Sequence, residues 1–145
     1  MNTRDFAQQA LFDPLGIRTV TWEHDAQEIP IGGWGLQLTP RDMAKLGYLY
    51  LHNGMWDGQQ IVPAAWIKAA VQQHTTTDST LGLGYGYQWW TAPSLDGYAA
   101  LGRNGQTIVV IPHLQLIIVT TAALDGHEAI FELIEQEIVP AVQTL

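Results

Sequence analysis

Gly97-Tyr-Ala-Ala-Leu-Gly-Arg-Asn-Gly-Gln106, with Thr107-Ile-Val-Val-Ile-Pro112 and Leu116-Ile-Ile-Val-Thr-Thr121 behind it, decides how the chain folds. Ile108–Ile111 and Leu116–Val119 are apolar runs joined by a short connection at Pro112–Gln115, which predicts two adjacent strands. Continuous Ile/Val runs, without alternation, imply strands covered on both faces. Ahead of them Gly102 and Gly105 bracket Arg103 and Asn104. Glycine at such a place marks a bend or a close approach of ligand to backbone. The expectation is a buried sheet with a cationic, glycine-lined strand start.

Composition narrows the function classes. A chain of 145 residues is one domain or one large piece of a domain. Its net charge of −8 argues against nucleic acid and anionic membrane surfaces, which require basic patches. The absence of cysteine excludes disulfides and thiolate metal sites. Met1-Asn-Thr-Arg-Asp-Phe-Ala lacks the apolar core of a signal peptide, and no apolar run is long enough to span a bilayer.

Outward from the strand pair, the pattern predicts a helix over residues 3–12 with Phe6, Ala10 and Leu11 on one face, ended by Pro14 and Gly16. Residues 18–38 read as a long irregular connection, with Trp34 as a core anchor among Gly32, Gly33 and Gly35. Thr39-Pro-Arg-Asp42 is a strong helix start, and Gly54 the stop. Met43, Leu46, Gly47 and Tyr50 form its inward face. A second helix follows Pro63, with Trp66, Ile67 and Ala70 on one side. Tyr85-Gly-Tyr-Gln-Trp-Trp90 reads as an aromatic strand, its rings filling core or lining a pocket. Asp125 and Glu128 form a plausible capping box for a last helix through about Gln143, with Pro140 kinking or ending it.

Local chemistry is sparse. The two serines, Ser79 and Ser94, have no lysine three residues on and sit in no nucleophile elbow. His24, His52, His74, His113 and His127 fall in no zinc-binding spacing, so no metal site and no cofactor is assigned. His113, in the tight strand connection, is expected at the surface. Arg103 is the leading charged candidate, poised to meet an anionic or carbonyl group; pairing with a surface acid is the alternative.

Phe12-Asp-Pro-Leu-Gly-Ile17, Gly33-Trp-Gly-Leu-Gln-Leu-Thr-Pro-Arg-Asp-Met-Ala-Lys-Leu-Gly47 and Asn53-Gly-Met-Trp-Asp-Gly-Gln-Gln-Ile-Val-Pro63 resemble the second half of serine β-lactamase-related hydrolases. This superfamily holds class C β-lactamases, DD-peptidases and related esterases and amide hydrolases. Gly84-Tyr-Gly-Tyr-Gln-Trp-Trp90 and Gly102-Arg-Asn-Gly-Gln106 fit the same order and spacing. The resemblance runs from about Phe6 to the final helix. The family's S-x-x-K is absent, and Tyr50-Leu-His-Asn53 has the wrong spacing for its Y-x-N motif.

The resemblance implies a C-terminal fragment of the β-lactamase/transpeptidase-like fold. The fold class is α/β of the α+β type: an antiparallel sheet of three or four strands with a C-terminal helix, plus part of a helical subdomain. Residues 1–82 are the partial helical subdomain with its long loop. Residues 83–145 are the sheet and C-terminal helix, one incomplete domain overall. The parent would act by acyl transfer on an amide, lactam or ester, with no catalytic residue in this chain. Arg103-Asn-Gly105 occupies the place of the family's K-T-G or H-x-G, and Gln106 would supply a backbone N–H to the oxyanion hole. Arginine keeps the cation but shuttles no proton. Partners would be a small-molecule or peptide substrate in the intact parent, and a second copy or the N-terminal half for this chain. Alternatives are a non-catalytic binding module and a pseudoenzyme lobe. Family members are often periplasmic or secreted; the compartment stays open.

Overall fold

The computed structural model describes residues 1–144. Helix α1 (Thr3–Ala7) is capped by the Asn2 side chain and widens into a π turn over Gln8–Phe12. Phe12 is buried with Leu15, Ile17 and Leu49. Phe6 and Ala10, expected inward, are exposed, because the π turn resets the 3.6-residue period on which that face was read. Residues 18–38 contain a short ladder: β1 (Thr21–Trp22) pairs antiparallel with β2 (Leu36–Gln37), and a His24–Pro30 bridge extends it. Its anchoring indole is Trp22, whose N–H donates to the Ile31 carbonyl at 2.8 Å. Trp34, expected in the core, is 68% exposed.

Helix α2 (Pro40–Leu51) starts as its residues dictate. Thr39 Oγ1 accepts the Asp42 N–H at 3.2 Å and donates to the Asp42 carboxylate at 2.7 Å. Lys45 Nζ lies 2.8 Å from the same carboxylate. The Lys45 hydrogen bond holds the Asp42 carboxyl below its usual range against the opposing effect of burial, with help from Thr39. The helix stops where the Gly54 N–H closes on the Leu49 carbonyl. A hairpin of β3 (Met55–Trp56) and β4 (Gln59–Gln60) leads to α3 (Ala64–Ala70). Helix α3 buries Ile67 and Ala70, but Trp66, expected beside them, is exposed.

The sheet has five strands, one or two more than expected, in the antiparallel order β5 (Gly84–Tyr85), β6 (Trp90–Ala92), β7 (Gly97–Gly102), β8 (Gln106–Ile111), β9 (Leu116–Thr120). The difference arises at Gln88, whose φ of 65° turns the chain and splits the aromatic stretch into β5 and β6. Strand β8 is buried along nearly its whole length, as its Ile/Val run demands, and β9 forms one edge.

The two faces are covered differently. Helix α2 lies on one, against β8 and β9. A Cβ at Gly47 would fall 2.7 Å from Ile117 Cγ2 and 2.9 Å from Ile108 Cγ2, so only glycine lets the helix come this close. On the other face α4 (Glu128–Leu133), a π turn (Ile134–Ile138) and α5 (Val139–Gln143) run on continuously. Ile130, Phe131 and Ile134 pack on Ala99, Val109 and Ile111. Each such apolar side chain contributes about 1.5–3 kcal/mol of transfer free energy. The Asp125–Glu128 capping box does not form: His127 is the N-cap, without a side-chain cap bond, and Glu128 folds back on the His127 N–H at 3.0 Å. The helix passes through Pro140, because the π turn ahead of it absorbs the missing N–H. No described helix is long and apolar enough to cross a membrane.

Candidate functional site

Strand β6 pairs with β7 only as far as Ala99. Ala100, Leu101 and Gly102 keep their β8 partners, so the last half of β7 has an open edge on its other side. At the end of that edge the chain makes the tight turn Arg103–Gly105 and returns as β8. Asn104 and Gly105 take the left-handed conformation, with φ of 60° and 80°. Gly105 is buried: a Cβ there would lie 3.0 Å from Ile130 Cδ1 and 3.1 Å from Ala122 Cβ.

Each carbonyl of the turn is tied back into the protein. The Gly102 carbonyl accepts from His127 Nε2 at 2.9 Å. The Arg103 carbonyl accepts the Gln106 N–H. The Asn104 carbonyl accepts the Leu124 N–H at 3.2 Å. The Gly105 carbonyl accepts from Thr120 Oγ1 at 2.8 Å, and Thr120 also bonds Thr107 across the ladder at 2.8 Å. The amides of Arg103 and Asn104 donate to no loop or turn carbonyl among the described residues. With its acceptors occupied, the turn is left presenting donors: main-chain N–H groups, the Asn104 amide and the Arg103 guanidinium.

Arg103 is exposed, has no carboxylate partner among the described residues, and lines a cleft of about 510 Å3. The other walls are the Asp78–Leu81 loop, Trp90, and the segment Gly126–Glu128. Thr80 Oγ1 donates to Glu128 Oε1 at 2.9 Å and ties that loop to the start of α4. The Glu128 carboxyl is held below its usual range by its own main-chain N–H, the Thr80 hydroxyl and the His127 N–H. A hollow of about 350 Å3, lined by Leu36, Gln37, Leu38 and Met43, meets the turn at Gln106.

The four residues singled out from sequence thus form one turn, but they do different things. Arg103 faces the cleft. Asn104 and Gly105 shape the bend. The Gln106 N–H, read as an oxyanion donor, closes the turn on Arg103, and its side chain donates to the Ala122 carbonyl at 2.7 Å. The main-chain amides that directly follow the open edge of β7 are those of Arg103 and Asn104. His127 was not singled out; no local spacing reveals that its ring reaches back to Gly102. The aromatic stretch divides: Trp89 is core, Trp90 lines the cleft, and Tyr87 is exposed. His113 is exposed as expected, with Nδ1 3.8 Å from Asp96. Ser94 donates to Glu135 at 2.6 Å, with no lysine beside it.

A five-stranded antiparallel sheet with helices on both faces, and a glycine-framed turn ending its half-open β7, matches part of the β-lactamase/transpeptidase-like fold. Solved structures show the same. One described as a 6-aminohexanoate-dimer hydrolase from Bacillus anthracis superposes with a TM-score of 0.81 at 24% identity, over 96% of this chain and 38% of that one. One described as a β-lactamase from Bacteroides dorei gives 0.59 at 17% identity, over 80% of this chain and 43% of that one. The octameric penicillin-binding protein homologue from Pyrococcus abyssi gives 0.55 at 18% identity, over 77% of this chain and 31% of that one. The chain therefore spans less than half the length of each. No protein-family model matches the chain, and no curated protein matches it in sequence.

Proposed function

We propose that this chain is the sheet-bearing part of a serine hydrolase that transfers acyl groups from an amide, lactam or ester. The nucleophilic serine and its lysine would come from a part of the fold outside these 145 residues. The observation that carries the reading is the turn Gly102–Gln106: every carbonyl from Gly102 to Gly105 is engaged, and donors remain at the end of an open strand edge. A tetrahedral intermediate needs donors fixed in place before charge develops on its oxygen. The Arg103 and Asn104 amides supply such groups. The Arg103 guanidinium, permanently charged, binds a substrate carbonyl or carboxylate and takes no part in proton transfer. The likeness to a structure described as a 6-aminohexanoate-dimer hydrolase favours a linear substrate over a lactam.

The test is Arg103→Ala in a protein that supplies the complementary half. We expect kcat/KM to fall at least about tenfold, roughly 1.4 kcal/mol of transition-state binding. A change within about twofold would remove Arg103 from the site. A second reading, a non-catalytic binding lobe, is favoured by the arginine standing in the place of the family's lysine or histidine. The reading frame upstream separates the two: S-x-x-K and Y-x-N motifs there support the enzyme.

A further inference from the structure

We infer that the groove between the C-terminal end of α2, α3 and the β8–β9 turn binds a small organic anion, a carboxylate on a short apolar chain. The groove has a volume of about 600 Å3. Pro112 and Gln115 border it, which puts it at the end of β8 opposite to the Gly102–Gln106 turn. It is therefore separate from the cleft at Arg103.

Three observations define the ligand. First, Tyr98 is 8% exposed, yet its hydroxyl has no hydrogen-bond partner among the described residues. None of their buried polar side-chain atoms is left unpaired, so this oxygen reaches the groove surface, where Tyr98 is part of the lining. The Tyr98 hydroxyl, bonded to no protein group, is therefore free to donate to a ligand in the groove. Tyr50 joins it on the lining, and burial pushes both phenols up, so both stay protonated at neutral pH.

Second, Lys68 is the one charged residue on the lining and has no ionic partner among the described residues. No Asp or Glu borders the groove, although the chain carries fourteen acids and six bases. Local charge here is opposite in sign to that of the protein as a whole, which favours an anion over a cation in this groove. Third, Leu51, Ile67 and Val71 supply apolar wall between the donors. A carboxylate placed on Lys68 and the phenols would lay its chain along these residues. A small inorganic anion would leave them bare.

The experiment titrates the 145-residue chain with pentanoate, followed by 1H–15N NMR and by tryptophan fluorescence. Trp89 reports because its ring lies 4.3 Å from that of Tyr50 and 5.3 Å from that of Tyr98. We expect saturable shifts at Tyr50, Lys68, Tyr98 and Gln115, with the Arg103 turn unmoved. Tyr98→Phe removes a hydroxyl that no protein group uses, so it should keep the melting temperature while weakening pentanoate about tenfold, the range of a charged hydrogen bond. Lys68→Gln should weaken it by a similar factor, and 1-pentanol should bind less tightly than pentanoate. Shifts that never saturate, wild-type affinity in Tyr98→Phe, or equal binding of alcohol and acid would each overturn the site.

Discussion

Replacing Gly105 with alanine probes how the Arg103 turn is held. At φ +80° an L side chain costs about 1–2 kcal/mol of backbone strain. The added methyl would also lie 3.0 Å from Ile130 Cδ1 and 3.1 Å from Ala122 Cβ. The isoleucine tip can swing aside, but the Ala122 methyl moves only with its backbone, so overpacking adds about 1 kcal/mol. The sum is about 2–3 kcal/mol, which for a chain of this length lowers Tm by about 6–10 °C. Gly82→Ala is the matched control. It has φ +65° and nothing within 4 Å, so it carries the strain without the contact. Thermal unfolding followed by circular dichroism should show Gly105→Ala losing clearly more than Gly82→Ala. Equal losses would mean that the turn is not packed against the C-terminal helix, and the construction of the site described above would be wrong.

Thr39→Ala should cost α2 about 1–2 kcal/mol in urea unfolding, since it removes a cap and a hydroxyl bond to Asp42; a loss below about 0.3 kcal/mol would show the cap to be idle. Because the folded Asp42 pKa lies below its unfolded value of about 3.9, its contribution is full above that pH and fades as pH falls through the lowered value. Asp42→Asn should therefore flatten part of the acid limb of stability, and an unchanged limb would contradict the assignment. The chain alone should give background rates with a β-lactam, a p-nitrophenyl ester and a D-alanyl peptide, because neither Ser79 nor Ser94 has a lysine three residues on; turnover lost on mutating one of those serines would refute this. The free edge of β9, an Ile/Val-rich row of unpaired backbone groups, should draw the isolated chain into dimers or larger species in light scattering at micromolar concentration. A monodisperse monomer with a cooperative melt would show the edge to be closed in another way.

What the sequence disclosed follows the range of the forces involved. The Thr39–Asp42 start was legible because its donors and acceptors lie within one turn of the chain. The β8 run was legible because burial on both faces leaves no polar alternation. Trp22 and Trp34 are equally apolar, and only contacts distant in sequence, the Ile31 carbonyl and the cluster of Phe12, Leu15 and Ile17, make Trp22 the half-buried one. Gln88 was opaque for a related reason: a left-handed glutamine has no local signature, and missing it merged two strands into one.

The site divides along the same line. Gly102 and Gly105 announced the bend, but what makes the bend a donor surface lies fifteen to twenty-five residues further on, at Thr120, Leu124 and His127. These groups occupy carbonyls that would otherwise repel an anionic oxygen. They also fasten the turn to the segment that opens α4. Thr80 holds Glu128 on that same segment, so the Asp78–Leu81 loop and the Arg103 turn are tied through one short stretch, Leu124–Glu128. Loosening that stretch would free the Gly102 and Asn104 carbonyls and change the charge that Arg103 works beside. The start of α4, some twenty residues beyond the glycine-framed motif, thereby sets the polarity of the turn that the motif named.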